Sequence, residues 1–182
     1  TATSESFNYI REHIGGSDMV INYDSNNGFA KNLADMQTEL AAVNGIFFIA
    51  HSLGGIYALH LANLIPDQVV GAVTMSTPYG GAMQADFAKY FLPFSRLMRD
   101  IGTISGPMKA ARNLPAPPNW TQVVTTVGRS PWINEPNDGV VTLESMRYRK
   151  DFELVDVALN HYEVVISNRV VDIILDRLKK VL

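Results

Sequence analysis

The sequence predicts an α/β fold in which a mainly parallel sheet carries helices on both faces. Continuous apolar runs of strand length alternate along the chain with stretches that have the period of amphipathic helices. Continuous runs are typical of strands buried on both faces, and the alternation of strands with helices favours parallel pairing. With 182 residues, we expect a single domain that spans residues 1–182.

The first half of the chain is predicted to hold three helices and three strands. The helices are at 4–14, which Gly15 and Gly16 end, at 29–40, and at 53–64, which stops before Pro66. In the second helix, apolar residues recur every three or four positions. The strands are at 19–23, 46–50 and 69–75.

In the second half, the alternation lapses between residues 78 and 120. An aromatic-rich helical stretch at 87–101 is followed by the stiff connector Leu-Pro-Ala-Pro-Pro at 114–118. The alternation then resumes with strands at 123–127 and 152–159 and with a long closing helix at 166–178.

Composition excludes several classes of function. The formal net charge is −3 and there is no cysteine. We expect no nucleic-acid partner, because binding to phosphates needs clustered Lys and Arg. Without cysteine there is no thiolate nucleophile and no cysteine-bound metal, and no other residue cluster suggests a metal or a cofactor. No apolar run reaches the roughly 18 residues of a membrane span. The sequence does not decide between the cytoplasm and the exterior of the cell.

The segment at 46–55, Ile-Phe-Phe-Ile-Ala-His-Ser-Leu-Gly-Gly, carries the strongest functional pattern. It predicts a buried strand, a tight turn with Ser52 at its apex, and a helix. Strand and helix come close at such a turn, so Ala50 and Gly54, each two positions from the serine, must be small. The turn presents the hydroxyl beside the N–H of Leu53 at a helix start, which favours a developing oxyanion. The context favours a nucleophile over the alternative, an ordinary helix N-cap.

A serine nucleophile needs a base, and the base needs an orienting carboxylate. In parallel sheets, reacting groups gather beyond the carboxyl ends of the strands. Asp138 follows the strand at 123–127, and His161 follows the strand at 152–159. The order Ser52, Asp138, His161 is that of hydrolases with a nucleophile elbow.

Other acidic residues and histidines are weaker candidates. Glu135 and Glu144 are the nearest competitors for the carboxylate, because either acid can orient a base. More distant rivals are Asp24, Asp151 and Asp156. The remaining histidines, better explained as surface or packing residues, are His13, His51 and His60.

These blocks resemble the α/β-hydrolase superfamily, and within it the small lipases and esterases. Ala-His-Ser-Leu-Gly-Gly at 50–55 resembles the lipase elbow, and Met-Ser-Thr-Pro-Tyr-Gly-Gly at 75–81 resembles the stretch after the following strand. Asn-Asp-Gly-Val-Val at 137–141 and Asn-His-Tyr-Glu-Val-Val at 160–165 resemble the acid and histidine loops. The resemblance implies that Ser52 is the nucleophile, His161 the general base and acid, and Asp138 its orienter, with Leu53 giving one oxyanion-hole N–H.

The resemblance also implies a strand that this sequence does not contain. In that fold, a strand ending in a His-Gly loop precedes the first helix and supplies the second oxyanion donor. This chain begins at Thr-Ala-Thr-Ser, where that loop would be finishing. We therefore expect an N-terminal strand upstream of Thr1, with Ala2 or Thr3 as the second donor.

The expected reaction is cleavage of a carboxylic ester through an acyl-enzyme, without metal or organic cofactor. Residues 78–120 would arch over Ser52, and we interpret their apolar face as a lid that lines an acyl pocket. Simple packing on the sheet is the alternative. An apolar lid favours a small-molecule or lipid-like ester and a transient contact with a lipid interface. We expect a monomer.

Three other functions remain open at this stage. The same fold can transfer an acyl group to an acceptor other than water, since fold does not fix function. A non-catalytic binding module could retain the elbow. Nucleotide binding at Gly54 and Gly55 is disfavoured, because no G-x-G-x-x-G pattern is present.

Overall fold

A four-stranded parallel sheet forms the centre of the protein. The computed structural model describes residues 4–24, 26–81, 106–131 and 133–182. Within these ranges the sheet has the order β1-β2-β3-β4, and every neighbouring pair is parallel. The strands are β1 Ile46–His51, β2 Val69–Met75, β3 Trp120–Thr125 and β4 Glu153–Val157. The expected α/β class is confirmed.

Helices connect the strands and complete the fold. The α-helices are α1 Asn8–Ile14, α2 Phe29–Glu39, α3 Leu53–Leu64, α4 Gly106–Asn113, α5 Leu143–Met146 and α6 Asn168–Leu178. Short 3-10 turns lie at Ser4–Phe7, Pro66–Gln68 and Glu163–Ile166. In the part of the chain that the structure describes, no helix is both long and apolar enough to cross a membrane.

Helices cover both faces of the sheet, as expected. On one face α2, α3 and α4 pack a core that includes Met36, Leu59 and Met108. On the other face α1 and α6 pack a second core that includes Ile10 and Ile174. Because both faces are covered, β2 and β3 are buried almost throughout, and polar side chains among their apolar residues are hydrogen-bonded, as Thr74 is to Gln122.

The strand predicted at 19–23 is wrong. The structure has no strand between residues 18 and 24, and the sheet begins with β1. Met19 and Tyr23 are 48% and 40% exposed, so the apolar run is not buried on both faces. β1 pairs with β2 alone among the described residues, so this segment lacks the neighbouring strand that backbone hydrogen bonding requires.

Of the stretch at 78–120 that we interpreted as a lid, residues 82–105 lie outside the described residues. The described end of the stretch packs on the body of the protein. In α4, Met108 and Ala111 are buried in the core beside α3, and the Pro107 carbonyl lies 3.0 Å from His60 Nε2. The lid itself stays a prediction.

Candidate active site

Ser52 forms the tight turn between β1 and α3 in a strained backbone conformation. Its φ and ψ are 53° and −123°, a region that residues other than glycine rarely occupy. The Ser52 N–H donates to the Met75 carbonyl at 2.8 Å, which ties the turn to β2. An ordinary N-cap serine has extended backbone and accepts a helix N–H, whereas Ser52 makes no such bond. The turn thus presents the hydroxyl instead of using it as a cap.

The tightest position in this turn is Gly55, which corrects the expectation for Gly54. A Cβ on Gly54 would meet Ala50 Cβ at 3.7 Å, an ordinary contact. A Cβ on Gly55 would lie 2.0 Å from Thr77 Oγ1, so no side chain fits there. The close approach is therefore between α3 and the segment after β2, which the sequence pattern around Ser52 does not reveal.

Asp138 and His161 are joined by two hydrogen bonds. The His161 Nδ1 and Asp138 Oδ2 atoms are 2.8 Å apart, and the His161 N–H donates to the Asp138 carbonyl at 3.0 Å. Both residues are almost completely buried. A carboxylate can only accept, so Nδ1 carries the hydrogen and the lone pair of the neutral imidazole is on Nε2. This is the arrangement that a histidine acting as a base through Nε2 requires.

Four donors converge on the Asp138 carboxylate. Oδ1 accepts from the N–H groups of Val140 and Val141 at 3.0 and 2.7 Å, and Oδ2 accepts from Thr125 Oγ1 at 2.5 Å as well as from His161. Burial acts to raise the pKa of Asp138, but the hydrogen bond from His161, the positive charge of His161 when it is protonated, and the bonds from Thr125 and Val141 outweigh it. The pKa therefore lies below its ordinary value, and the buried carboxyl stays ionised.

The His161 loop is fixed on both sides. Asn160 Oδ1 accepts from the N–H groups of Tyr162 and Glu163 at 2.9 Å, and Glu163 Oε2 accepts from the Asn160 N–H, so these bonds fix the turn from Asn160 to Glu163. His51 lies on the other side. Its Nε2 is 2.8 Å from the His161 carbonyl oxygen, and the two rings are 4.6 Å apart. His51, which directly precedes Ser52, thus connects the histidine loop to the turn that carries Ser52.

Ser52 and His161 are not hydrogen-bonded in this structure. Ser52 Oγ forms no hydrogen bond to any described residue. In unliganded enzymes, such bonds are often long and shorten only when substrate binds. Leu53 N–H, at the start of α3, also has no acceptor among the described residues. Ala2 and Thr3, the candidates for the second oxyanion donor, lie outside them.

The rival acids are exposed or have other partners. Glu135 and Glu144 are exposed. Asp151 and Asp156 form ion pairs with Arg149 and Arg147, and Asp24 accepts from Asn26. Among the other histidines, His13 bonds the Tyr9 carbonyl on the surface and His60 the Pro107 carbonyl. Of the weaker candidates, only His51 lies at the site.

No cluster of three His, Asp or Glu side chains suited to a metal ion occurs within the described ranges.

The site includes residues that the sequence analysis did not identify, namely Ser76, Thr125 and Gly128. Thr125 is the last residue of β3, and Ser76 follows β2. The rule that functional groups gather at the carboxyl ends of strands would have found both.

Solved structures of lipases and esterases share this architecture. The mature lipase BlEst2 of Bacillus licheniformis matches with a TM-score of 0.62 at 17% identity, over 88% of this chain and 77% of that one. A structure of the metagenome-derived lipolytic enzymes LipS and LipT matches with a TM-score of 0.64 at 13% identity, over 99% and 88%. An extracellular α/β-hydrolase of a Paenibacillus species matches with 0.62 at 10%, over 99% and 94%.

No family model and no curated protein matches this sequence. At these low identities, the likenesses to solved structures establish the fold and leave the activity to be argued from the site.

Proposed function

We propose that this chain, which has the α/β-hydrolase fold, is a serine hydrolase that cleaves carboxylic esters. The observation that carries the proposal is the buried pair of His161 and Asp138, with Nδ1 and Oδ2 2.8 Å apart. It is supported by the strained turn at Ser52 and by the contact of His51 with the histidine loop. In this assignment Ser52 is the nucleophile, His161 the general base and acid, and Asp138 the residue that orients it.

The first half of the reaction forms the acyl-enzyme. His161 Nε2 takes the proton of Ser52 Oγ as this oxygen attacks the ester carbonyl carbon. The oxyanion of the tetrahedral intermediate accepts from the Leu53 N–H at the start of α3. His161 then gives the proton to the leaving oxygen, and the C–O bond of the ester breaks to release the alcohol.

The second half is hydrolysis of the acyl-enzyme. His161 takes a proton from water as the water oxygen attacks the acyl carbon, and it returns that proton to Ser52 Oγ when the carboxylic acid leaves. Throughout, Asp138 keeps Nδ1–H bound and stabilises the transient imidazolium. The ionised state of the buried Asp138 carboxyl suits this role.

An uncharged, apolar ester is the substrate class that the surroundings favour. Two large apolar side chains are exposed there: Val127, two residues after Thr125, is 49% exposed and Tyr162 is 58% exposed. Tyr162 directly follows His161, and its ring is 5.5 Å from the imidazole. The solved structures with this fold include lipases and esterases, which is consistent with such a substrate. The lid over residues 78–120, the transient lipid contact and the monomeric state remain predictions.

Hydrolysis of a series of nitrophenyl esters of increasing acyl length tests the proposal. We expect turnover by the wild type and loss of turnover in Ser52→Ala. Ser167→Ala is the matched control, because Ser167 also precedes a helix without making a side-chain cap bond. It should retain wild-type rates. Absence of turnover across the whole series by the folded wild type would overturn the proposal and favour a binding module.

A further inference from the structure

The hydrogen bond between His161 and Asp138 continues into a chain that includes two buried hydroxyl groups. Thr125 Oγ1 is 2.5 Å from Asp138 Oδ2, and Ser76 Oγ is 2.8 Å from Thr125 Oγ1. Both residues are completely buried. The reaction described above uses neither of them.

The direction of these hydrogen bonds follows from the chemistry of the groups. The Asp138 carboxylate only accepts, so Thr125 donates its single hydroxyl hydrogen to Oδ2. Met146 Sδ, 3.3 Å from the same hydroxyl, is a weaker acceptor. Thr125 Oγ1 must then accept from Ser76, so Ser76, Thr125 and Asp138 form a chain of bonds that all point toward the carboxylate.

Ser76 occupies a backbone conformation that disfavours a side chain. Its φ is 51°, in the left-handed region, and its N–H is fixed to the Val123 carbonyl at 3.0 Å. Glycine would adopt this conformation without strain. A buried serine in such a place, with its hydroxyl directed into a chain of hydrogen bonds, indicates that the hydroxyl has a use.

The two hydroxyls act on the oxygen that binds His161. Two backbone N–H groups hold Asp138 Oδ1 in place. The position of Oδ2, and so the rotation of the carboxylate, then depends on the partners of Oδ2. Those partners are His161 and Thr125. A hydrogen bond to a buried charge is strong and directional, so Thr125 limits the rotation of the carboxylate.

We propose that Thr125 and Ser76 are positioning residues that hold Oδ2 of Asp138 in the orientation that orders His161. Thr125 acts on the carboxylate directly, and Ser76 acts by directing the Thr125 hydroxyl. This inference rests on the proposed function. Neither residue touches the substrate.

Substitution of Thr125 tests the inference with a matched control in the same segment. Thr125→Val keeps the shape and removes the hydroxyl. We expect kcat to fall by about ten- to a hundredfold with KM nearly unchanged, because a bond to a charged group is lost. Thr125→Ser should restore most of the rate. In the control Thr126→Val, the lost hydroxyl bonded only the Val157 carbonyl, so kcat should not change.

Ser76→Ala provides a second variant that leaves the Thr125 hydroxyl in place. We expect a smaller fall in kcat than in Thr125→Val, because the carboxylate keeps its donor but the donor loses its direction. Thermal unfolding of each variant verifies that the fold is retained. Wild-type kcat in both Thr125→Val and Ser76→Ala would overturn the inference, as would a failure of Thr125→Ser to restore the rate.

A spectroscopic readout separates this inference from the proposed function. The hydrogen between His161 Nδ1 and Asp138 Oδ2 should give a low-field proton NMR resonance. We expect it to shift in Thr125→Val, to return in Thr125→Ser and to be unchanged in Thr126→Val, whether or not the protein hydrolyses esters. An unshifted resonance in Thr125→Val would reject the positioning role, whereas absent turnover in the wild type would reject only the esterase.

Discussion

Gly128 lies directly against the peptide group that follows Asp138. A Cβ at Gly128 would be 2.0 Å from the carbonyl carbon of Asp138 and 2.3 Å from the nitrogen of Gly139. Backbone cannot move aside as the end of a flexible side chain can. The turn that carries Asp138 is therefore positioned by the absence of a side chain ten residues earlier in the chain.

Gly128→Ala should displace Asp138 and lower ester turnover. A shift of about 1 Å in a catalytic group costs on the order of a hundredfold in rate, and we expect a loss of that size in kcat. The measurement is nitrophenyl ester hydrolysis. Gly106→Ala is the control, because a Cβ there meets nothing within 4 Å. Full activity in Gly128→Ala would show that the turn tolerates the displacement.

Two substitutions of Ser52 should differ in stability. Both Ser52→Gly and Ser52→Ala remove the nucleophile, but only glycine relieves the strain of φ 53°. We expect Ser52→Gly to have a free energy of unfolding roughly 1 kcal/mol higher than Ser52→Ala, the strain relieved less the entropic cost of glycine. Urea unfolding measures the difference. If Ser52→Ala were equally or more stable, the turn would not be strained.

His51 should make the protein less stable in acid. Burial, and then the charge that His161 carries when protonated, lower the pKa of His51 from 6.5 to about 3. The unfolded chain takes up a proton near the ordinary pKa, whereas the native state does not until about 3. Stability is therefore lost as the pH falls between these values, by up to about 1.4 kcal/mol per pH unit from this group.

His51→Gln isolates this contribution, because its amide N–H can replace the donor to the His161 carbonyl but cannot titrate. We expect the free energy of unfolding, measured in urea at several pH values between about 4 and 6, to fall less steeply with acid than in the wild type. Equal slopes in His51→Gln and the wild type would contradict the buried neutral state.

Asp138→Asn should lower turnover by orders of magnitude without unfolding the protein. An amide can donate to Nδ1 and so favours the tautomer that leaves Nε2 protonated and unable to act as a base; the comparable loss in a serine protease is about 10⁴ in kcat. Glu135→Gln and Glu144→Gln, at exposed positions, should retain wild-type rates. Near-normal turnover in Asp138→Asn would transfer the orienting role to one of these acids.

The parts of the fold that depend on local pattern could be predicted from the sequence. The segment from β1 through Ser52 to α3 combines a buried run, a turn and a helical period in consecutive residues. The strand at 19–23 was predicted wrongly, because an apolar run indicates burial but does not provide a hydrogen-bonding partner.

The site was predictable only as far as strand ends could be located. Asp138 and His161 each follow a strand, so the topology of a parallel sheet places them at one edge. Gly128, Gly55 and the chain from Ser76 to Thr125 depend on distances between segments far apart in sequence. Those distances are set by packing and have no signature in the local order of residues.

The account depends most on whether Ser52 is activated by His161, and labelling with a fluorophosphonate probe measures this directly. We expect the probe to attach to Ser52, as located by mass spectrometry of the digested protein, and labelling to be lost in Ser52→Ala and strongly slowed in His161→Ala. Absence of an adduct on the folded wild type, an adduct at another residue, or undiminished labelling of His161→Ala would contradict the account.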